Sequence, residues 1–283
     1  MLAGAVLLTI LFFINADAKR RWIVGLRFQR TRSVNLEARR GDPTVWLIAH
    51  LDSKSQTVPM LVRIGSSVAL AAITFFALVL LTVSAFGLAA DSSVWLGVQL
   101  AAIIAALPVI FCFVRNDSAG AVDNASGVVA VLLASQSSAA RDLGVLVTSG
   151  EELGLAGARA WTADRRQGEP STRLLRVLNC DTVDDAENWR SMYTGTKPRE
   201  IAAAVESVAS RLGVPLSMRR FIPGILADSM AFADRGIEAV TLSRGTLSTL
   251  ARIHTRRDNS NALTGQGAAE ASVLLSALAK ELS

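Results

Sequence analysis

The sequence has few of the side chains that build cross-links or stacking surfaces. Its 283 residues include two cysteines, two histidines and one tyrosine. Cys112 and Cys180 lie far apart, which excludes a disulfide framework. Aromatic residues make up 6% of the chain, so the net charge of +5 is not accompanied by an aromatic stacking series. We therefore expect no nucleic-acid partner.

Charge is also missing from three long stretches. Leu2 to Ala16 carries none, which predicts a membrane anchor over residues 1–18, although this stretch is shorter than the roughly 20 residues of a spanning helix. A cleaved signal peptide is the alternative, because Ala16-Asp17-Ala18 resembles a cleavage site. Ile64 to Ala90 and Val94 to Val114 predict a transmembrane hairpin over residues 61–115. Two buried helices of a soluble domain are the alternative there.

Basic residues lie beside the apolar stretches, which makes lipid headgroups their expected neighbours. Arg63 and Arg115 flank the hairpin, whereas its connector carries only Asp91. Because two crossings return the chain to the same side, residues 19–60 and 116–283 share one compartment. The positive-inside bias predicts the cytoplasmic face of the cell membrane. The basic residues near the first stretch are Lys19, Arg20, Arg21, Arg27, Arg30, Arg32, Arg39 and Arg40.

The remaining residues alternate short apolar runs with helical patterns. Strands are predicted at Trp22–Phe28, Ser33–Ala38, Thr44–Ala49, Leu143–Val147, Arg173–Asn179, Arg190–Tyr193 and Ala239–Leu242. Helices are predicted at Ser126–Ala140, Leu153–Arg165, Glu200–Leu212 and Ala262–Leu282. Strands that alternate with helices indicate a mostly parallel sheet covered on both faces. The predicted fold class is therefore α/β, with transmembrane helices in addition.

Two adjacent carboxylates, Glu151 and Glu152, follow the apolar run that ends near Val147. Neighbouring side chains at a strand-to-helix turn point in different directions, so one can bind a metal while the other moves a proton. The plainer interpretation is that both lie in the first turn of a helix, where negative charge suits the helix dipole.

The two histidines have distinct surroundings. His50 ends a predicted strand, and the two-residue strand period places Asp52 on the same side. A carboxylate there suits the second ring N–H of a metal-bound imidazole. His254 lies in a basic stretch with Asp258 four residues later. Taken singly, each histidine also fits an ordinary strand end or loop.

Two aspartates complete a possible set of metal ligands. Asp123 lies just before a predicted helix, where an N-cap is the alternative role. Asp181 follows a predicted strand, where a solvated strand end is the alternative. These two aspartates, the two histidines and Glu152 all lie at the carboxyl ends of predicted strands or just after them, where open parallel sheets build their sites. Two histidines, two aspartates and Glu152 suit two zinc ions that share one carboxylate, with Glu151 left as a base.

Five motifs, in this order, resemble the co-catalytic zinc aminopeptidase family, which includes leucyl aminopeptidases, glutamate carboxypeptidase and glutaminyl cyclases. They are Ala49-His50-Leu51-Asp52-Ser53, Asp123-Asn124-Ala125-Ser126-Gly127, Ser149-Gly150-Glu151-Glu152-Leu153-Gly154, Asn179-Cys180-Asp181 and Ile253-His254-Thr255. The resemblance implies a three-layer α/β/α sandwich over residues 19–60 and 116–283. It also implies an often cis peptide bond between Asp123 and Asn124.

The resemblance further implies a role for each residue. Asp123 bridges two zinc ions, Glu152 and His254 complete one site, and His50 and Asp181 complete the other. Glu151 is then the general base, and Asp52 supports His50 from outside the ligand set.

These roles predict a membrane-bound di-zinc aminopeptidase that hydrolyses peptides with a free N-terminus. A glutaminyl cyclase is one alternative, because the run from His50 to Lys54 resembles its first motif, although Asn124 to Gly127 follows the peptidase pattern. A catalytically silent membrane protein with the same fold is another. The sequence departs from the family at residues 61–115, normally a short soluble segment, and at Ser229, where a histidine or aromatic residue is usual.

Overall fold

The structure is a computed structural model that describes residues 33–168, 175–186, 188–222 and 224–283. The predicted anchor over residues 1–18, the strand predicted at Trp22–Phe28 and the basic residues from Lys19 to Arg32 lie outside the described residues. The described chain divides into two compact units. One contains Arg63–Phe111, and the other contains Ser33–Val62 together with Cys112–Ser283.

The larger unit contains a seven-stranded sheet in the order β1-β5-β2-β6-β9-β7-β8. The adjacent strands β5, β2, β6 and β9 run parallel to one another, as do β7 and β8. β1 is antiparallel to β5, and β7 is antiparallel to β9. A separate antiparallel ribbon pairs β3 with β4. The strands are β1 (Leu36–Arg40), β2 (Val45–His50), β3 (Ser55–Gln56), β4 (Val114–Arg115), β5 (Leu143–Thr148), β6 (Arg176–Val183), β7 (Trp189–Tyr193), β8 (Leu216–Arg220) and β9 (Glu238–Arg244).

Helices cover both faces of this sheet. The first two helices of the described chain, α1 (Met60–Ala85) and α2 (Ser92–Ile110), form the hairpin. The helices that follow are α3 (Ser126–Ser137), α4 (Ala156–Gly168), α5 (Arg199–Leu212), α6 (Ser229–Ala233), α7 (Leu247–Arg252) and α8 (Gln266–Leu282). In β2, Leu47 belongs to the core shared with α3, α5 and α8, whereas Trp46 belongs to the core shared with α4 and α6. This alternation on a fully buried strand confirms the predicted α/β class. The pairing of the strands confirms the mostly parallel central sheet.

The start of α4 differs from the prediction of a helix from Leu153. The helix begins at Ala156, because Gly154 and Leu155 have φ angles of +86° and +63°, outside the helical region. Glu151 and Glu152 therefore lie in a turn before the helix, and the plainer interpretation as first-turn residues does not hold. β8 and the short helices α6 and α7 were not predicted, because these segments are too short to show a period.

The described part of the smaller unit contains most of α1 and all of α2. Both helices are long and apolar enough to cross a membrane, and neither has a buried residue. At 1.5 Å per residue, their 26 and 19 residues extend roughly 39 and 28 Å. The hydrocarbon core of a bilayer is about 30 Å thick. The helices begin and end a few residues earlier than the predicted apolar spans. Val114, the last residue of the second span, belongs to β4 instead.

Candidate metal centre

The carboxyl ends of β2 and β6 bring a histidine against two aspartates. His50 is the last residue of β2 and is 1% exposed. Its Nε2 atom lies 3.2 Å from Oδ1 of Asp123 and 3.6 Å from Oδ1 of Asp181. Parallel pairing of β2 with β6 places Asp181 beside His50. These three side chains form one group whose ligand atoms all lie within 4.8 Å of one another.

A second group forms around His254, which follows α7. Its Nε2 atom lies 3.0 Å from Oδ2 of Asp123 and 3.0 Å from Oε1 of Glu152. The ligand atoms of Asp123, Glu152 and His254 also lie within 4.8 Å of one another. The backbone of His254 has a φ angle of +62°, the left-handed region, which turns this residue out of the preceding helix.

Asp123 belongs to both groups, with one carboxylate oxygen facing each histidine. The peptide bond between Asp123 and Asn124 is cis, which confirms the expectation from the resemblance. The Asn124 side chain donates to the carbonyl of Cys180 at 2.9 Å and accepts from the backbone N–H of Thr182 at 3.3 Å. These bonds hold the turn with Asp123 against β6, beside Asp181.

The donor atoms at this centre fit divalent cations. Asp123, Asp181 and Glu152 place three buried carboxylates around two imidazole rings, and such like charges require compensation. Oε1 of Glu152 is buried and has no well-oriented hydrogen bond from the described residues. Imidazole nitrogen and carboxylate oxygen are ligands that zinc accepts. The five predicted ligands therefore converge into two adjacent sets that share Asp123.

The carboxylates strongly affect the two imidazole rings. Burial alone would lower the pKa of His50, but the hydrogen bonds and charges of Asp123 and Asp181 outweigh it and raise that pKa well above the usual value. The pKa of His254 is raised in the same way by Asp123 and Glu152 against the effect of burial. For Asp123, burial raises the pKa, yet the two histidines lower it overall.

These shifts predict that zinc uptake displaces protons. A histidine ligand must be deprotonated, and the raised pKa values favour the protonated form of both rings in the metal-free protein. We expect zinc binding near neutral pH to release protons from the centre. The apparent affinity should rise with pH until both raised pKa values are passed. Calorimetry in buffers of different ionisation enthalpy measures this release, and binding without proton release would contradict it.

Glu151 lies beside the two groups and belongs to neither. Glu151 is 7% exposed. Burial raises the pKa of Glu151 well above its usual value, and the charges of Asp181, Asp228 and Glu152 add to this rise, while His50 opposes it. Two bound cations would bring that pKa back down. A buried carboxyl group with such an adjustable pKa suits proton transfer near neutral pH.

Asp52 contacts its neighbours differently from the prediction. Its backbone carbonyl, not its carboxylate, lies 2.9 Å from Nδ1 of His50, and the carboxylate is 3.8 Å from that nitrogen. The carboxylate instead accepts the backbone N–H groups of Glu151 and Glu152, each at 3.1 Å. Because the chain turns after His50, the period of two that placed the carboxylate beside the ring no longer applies. Asp52 thus holds the turn that carries both glutamates.

Asp258 has the same arrangement on the other side of the centre, and the sequence analysis assigned it no role. It is fully buried, and its carboxylate accepts the backbone N–H groups of Val122 at 2.7 Å and Asp123 at 3.2 Å. Each histidine segment thus supplies an aspartate that fixes a turn bearing carboxylates. The signal in the sequence was the short spacing of Asp258 from His254.

We expect Asp258→Asn to weaken zinc binding by roughly 10- to 100-fold, as is typical for partners outside the ligand set. An amide can accept only one of the two N–H groups and turns its own NH₂ toward the other. Asp185→Asn is a matched control, since Asp185 likewise accepts two backbone N–H groups, those of Thr264 and Gly267, at the start of α8. Competition with a zinc chelator measures the affinity; equal losses in both variants would contradict a role at the centre.

Two further side chains near the centre were not predicted. Lys54 contacts Oε2 of Glu152. Asp228 is fully buried, accepts from the hydroxyl of Thr148, and its other oxygen has no hydrogen bond from the described part of the chain. Burial raises the pKa of Asp228 to about 6. Lys54 directly follows the His50 motif, whereas Asp228 lies far from it in sequence and is brought to the end of β5 only by folding.

Solved structures with the same fold include zinc aminopeptidases. The zinc aminopeptidase BSAP from Bacillus subtilis has a TM-score of 0.56 at 17% identity, covering 86% of this chain and 48% of its own. The LapA aminopeptidase from Legionella pneumophila has a TM-score of 0.52 at 15% identity, covering 95% and 65%. The glutaminyl cyclase from an Acidobacteriales bacterium has a TM-score of 0.55 at 14% identity, covering 88% and 73%.

The chain thus spans about half the length of the Bacillus enzyme. A search of curated proteins finds no significant match. The model of one protein family, however, matches residues 33–279, which include all five motifs and both groups of converging side chains. Membership of that family supports a zinc metallopeptidase or a related hydrolase. The chain belongs to peptidase family M28.

Proposed function

We propose that this protein is a membrane-bound di-zinc exopeptidase, an aminopeptidase that removes residues from peptides with a free N-terminus. The observation that carries the proposal is the position of Asp123, whose two carboxylate oxygens face two different histidines. One carboxylate that faces two adjacent ligand sets suits a pair of neighbouring metal ions.

Five residues would hold the ions. His50 and Asp181 would serve one position, Glu152 and His254 the other, and Asp123 both. Zinc there supplies Lewis acidity, which lowers the pKa of water from 15.7 to about 7.

Glu151 would move the protons of the reaction. Its carboxylate takes a proton from the attacking water and gives it to the amine that leaves the broken peptide bond. The backbone N–H bonds from Glu151 and Glu152 to Asp52 hold this side chain in place during both transfers. Burial of Glu151 limits access of bulk water to that proton.

Blocking the substrate amine tests this proposal. The purified full-length protein with zinc should hydrolyse leucyl-peptides, and acetylation of the N-terminus should slow hydrolysis by at least about 100-fold, or roughly 2.7 kcal/mol. The physical reason is that a free amine can ligate zinc through its lone pair or donate to a neighbouring carboxylate, whereas an acetylated nitrogen is a poor ligand and carries no charge. Mass spectrometry of the products measures both rates. Equal cleavage of acetylated peptides, or cleavage at internal bonds, would contradict an aminopeptidase.

A glutaminyl cyclase is the second candidate, favoured by Lys54 in the His50 motif and its contact with Glu152. The two activities give different products from a peptide that begins with glutamine. In cyclisation the N-terminal amine attacks the side-chain amide carbon of the same glutamine and ammonia leaves, so the chain keeps its length, whereas an aminopeptidase releases free glutamine. We expect free glutamine, and an intact peptide that has lost only the mass of one ammonia would favour the cyclase instead.

Membrane attachment is the remaining part of the proposal. α1 and α2 lie far from the N-terminus and have no buried residues, unlike a signal sequence or a core helix of a soluble protein. Arg63 and Arg115 flank them, and positive-inside bias assigns the larger unit to the cytoplasmic face. Protease added outside sealed cells should leave that unit intact, and its digestion would reverse the orientation.

A further inference from the structure

We propose that this peptidase acts on N-termini held close to a membrane surface, within about 20 Å of the lipid headgroups. The inference names the substrate class of the proposed function and therefore rests on it and on the membrane crossing. It comes from the ribbon formed by β3 and β4, which belongs to the larger unit and connects directly to α1.

The ribbon is built into the metal centre. The backbone N–H of Gln56, in β3, donates to the carbonyl of His254 at 2.9 Å. On the opposite strand, Asp117 lies just beyond β4 and accepts from Arg256 at 3.2 Å, two residues after His254. The segment with His254 is therefore held by both strands of the ribbon.

The residues before the ribbon touch the other predicted ligand segments. Lys54 contacts the carboxylate of Glu152. Ser53 donates to the carbonyl of Ser118 at 3.3 Å and packs so closely on Gly120 that a Cβ atom there would lie 2.6 Å from the Cβ of Ser53. Gly120 opens the turn that leads to Asp123. The three candidate ligands of the second group, Asp123, Glu152 and His254, thus lie in segments that residues 53–56 contact.

Chain length then limits how far the centre can lie from α1. The backbone N–H of Gln56 bonds to the carbonyl of His254, and α1 begins four residues later, at Met60. Four extended residues span at most about 14 Å, so with the hydrogen bond the backbone of His254 lies within roughly 20 Å of the start of α1. This limit is set by covalent geometry and holds for any orientation of the helices. If α1 enters the bilayer near Met60, the segment that carries His254 lies within about that distance of the headgroup region.

Apolar side chains are also exposed in and beside the ribbon. Phe113 and Val114 have 58% and 62% of their surface exposed, although both are apolar. Val114 pairs with Gln56, the residue that donates to His254. Neighbouring strands lie about 4.8 Å apart. An exposed apolar strand at this position fits the boundary between headgroups and acyl chains, where amphipathic segments bind.

Peptides anchored to vesicles test the inference. The full-length protein is reconstituted into phosphatidylcholine vesicles whose two leaflets carry leucyl-peptides linked through their C-termini to a phospholipid. One peptide has a spacer of six residues, roughly 20 Å when extended, and the other has 24 flexible residues, with an end-to-end distance of about 27 Å. A soluble copy of the peptide reports the basal activity.

We expect the short-spacer peptide to be cleaved at no less than a third of the rate of the long-spacer peptide at equal surface density. A lower ratio, with the long-spacer and soluble peptides still cleaved, would place the centre farther from the bilayer. That result would overturn this inference and leave the proposed function intact. If no peptide is cleaved, including the soluble one, the proposed function itself fails.

A lifted variant provides the matched control. Insertion of 12 Gly/Ser residues after Val58 and again after Cys112 lengthens both connections between the ribbon and the helices without changing a predicted ligand. The soluble peptide should be cleaved at the wild-type rate, which shows that the centre is intact. The ratio of short-spacer to long-spacer cleavage should fall by at least about threefold, since each insert adds an average reach of about 19 Å. An unchanged ratio would overturn the inference.

Discussion

Replacing Asp123 by asparagine is expected to disrupt both zinc positions at once. The amide has one oxygen for coordination, whereas the two histidines face the two separate oxygens of Asp123. Zinc content should fall from two ions to at most one per chain. Catalysis should fall by about 10³-fold or more, since the loss of metal polarisation costs several kcal/mol and each 1.36 kcal/mol is tenfold in rate.

Asp181→Asn is the matched comparison, because Asp181 belongs to only one of the two groups. This variant should retain the ion held by Glu152 and His254 and should lose affinity only at the other position. Zinc content by mass spectrometry and leucyl-peptide hydrolysis on the same samples measure both effects. Two tightly bound zinc ions in Asp123→Asn would show that this carboxylate does not bridge.

Replacing Glu151 by glutamine is expected to separate catalysis from metal binding. The amide keeps the size of the side chain and cannot accept a proton, so kcat should fall by roughly 10²- to 10⁴-fold. Zinc content should stay at the wild-type value, because Glu151 lies in neither group of converging side chains. KM should change little, since the lost interaction forms during the reaction.

The adjacent glutamate is the control for this experiment. Glu152→Gln removes a side chain whose Oε1 atom lies 3.0 Å from His254, and it should lose zinc as well as activity. A Glu151→Gln variant that hydrolyses leucyl-peptides at the wild-type rate would remove Glu151 from the mechanism. Loss of zinc in that variant would make Glu151 a ligand.

The parts of the fold that the sequence predicted are those with a strong local pattern. β2 and β5 are almost entirely apolar and are fully buried, so hydrophobicity alone identified them as strands. The apolar spans of α1 and α2 were equally clear. β8 was missed because it is short and only partly buried, and its position depends on pairing with β7, which a local pattern does not show.

The site was predictable in its residues but not in its supporting contacts. His50, Asp123 and His254 lie in motifs that can be read in sequence, and the structure brings Nε2 of each histidine within 3.2 Å of a carboxylate oxygen of Asp123. Asp258 bonds to backbone groups 135 and 136 residues away. Such contacts depend on how turns meet in three dimensions.

Asp52 shows the same limit on a smaller scale. The strand period placed its carboxylate beside the His50 ring, but the chain leaves the strand at His50. The carboxylate reaches the turn of Glu151 and Glu152 instead. A sequence pattern therefore identified the residue and the region, while the backbone geometry of the turn decided its partner.

The most direct measurement is anomalous X-ray diffraction from zinc-loaded crystals, recorded on both sides of the zinc absorption edge. Two peaks of similar height are expected, one on each side of Asp123, with Glu151 outside both coordination shells. A single peak, or a pair that does not share the carboxylate of Asp123, would contradict the proposed centre.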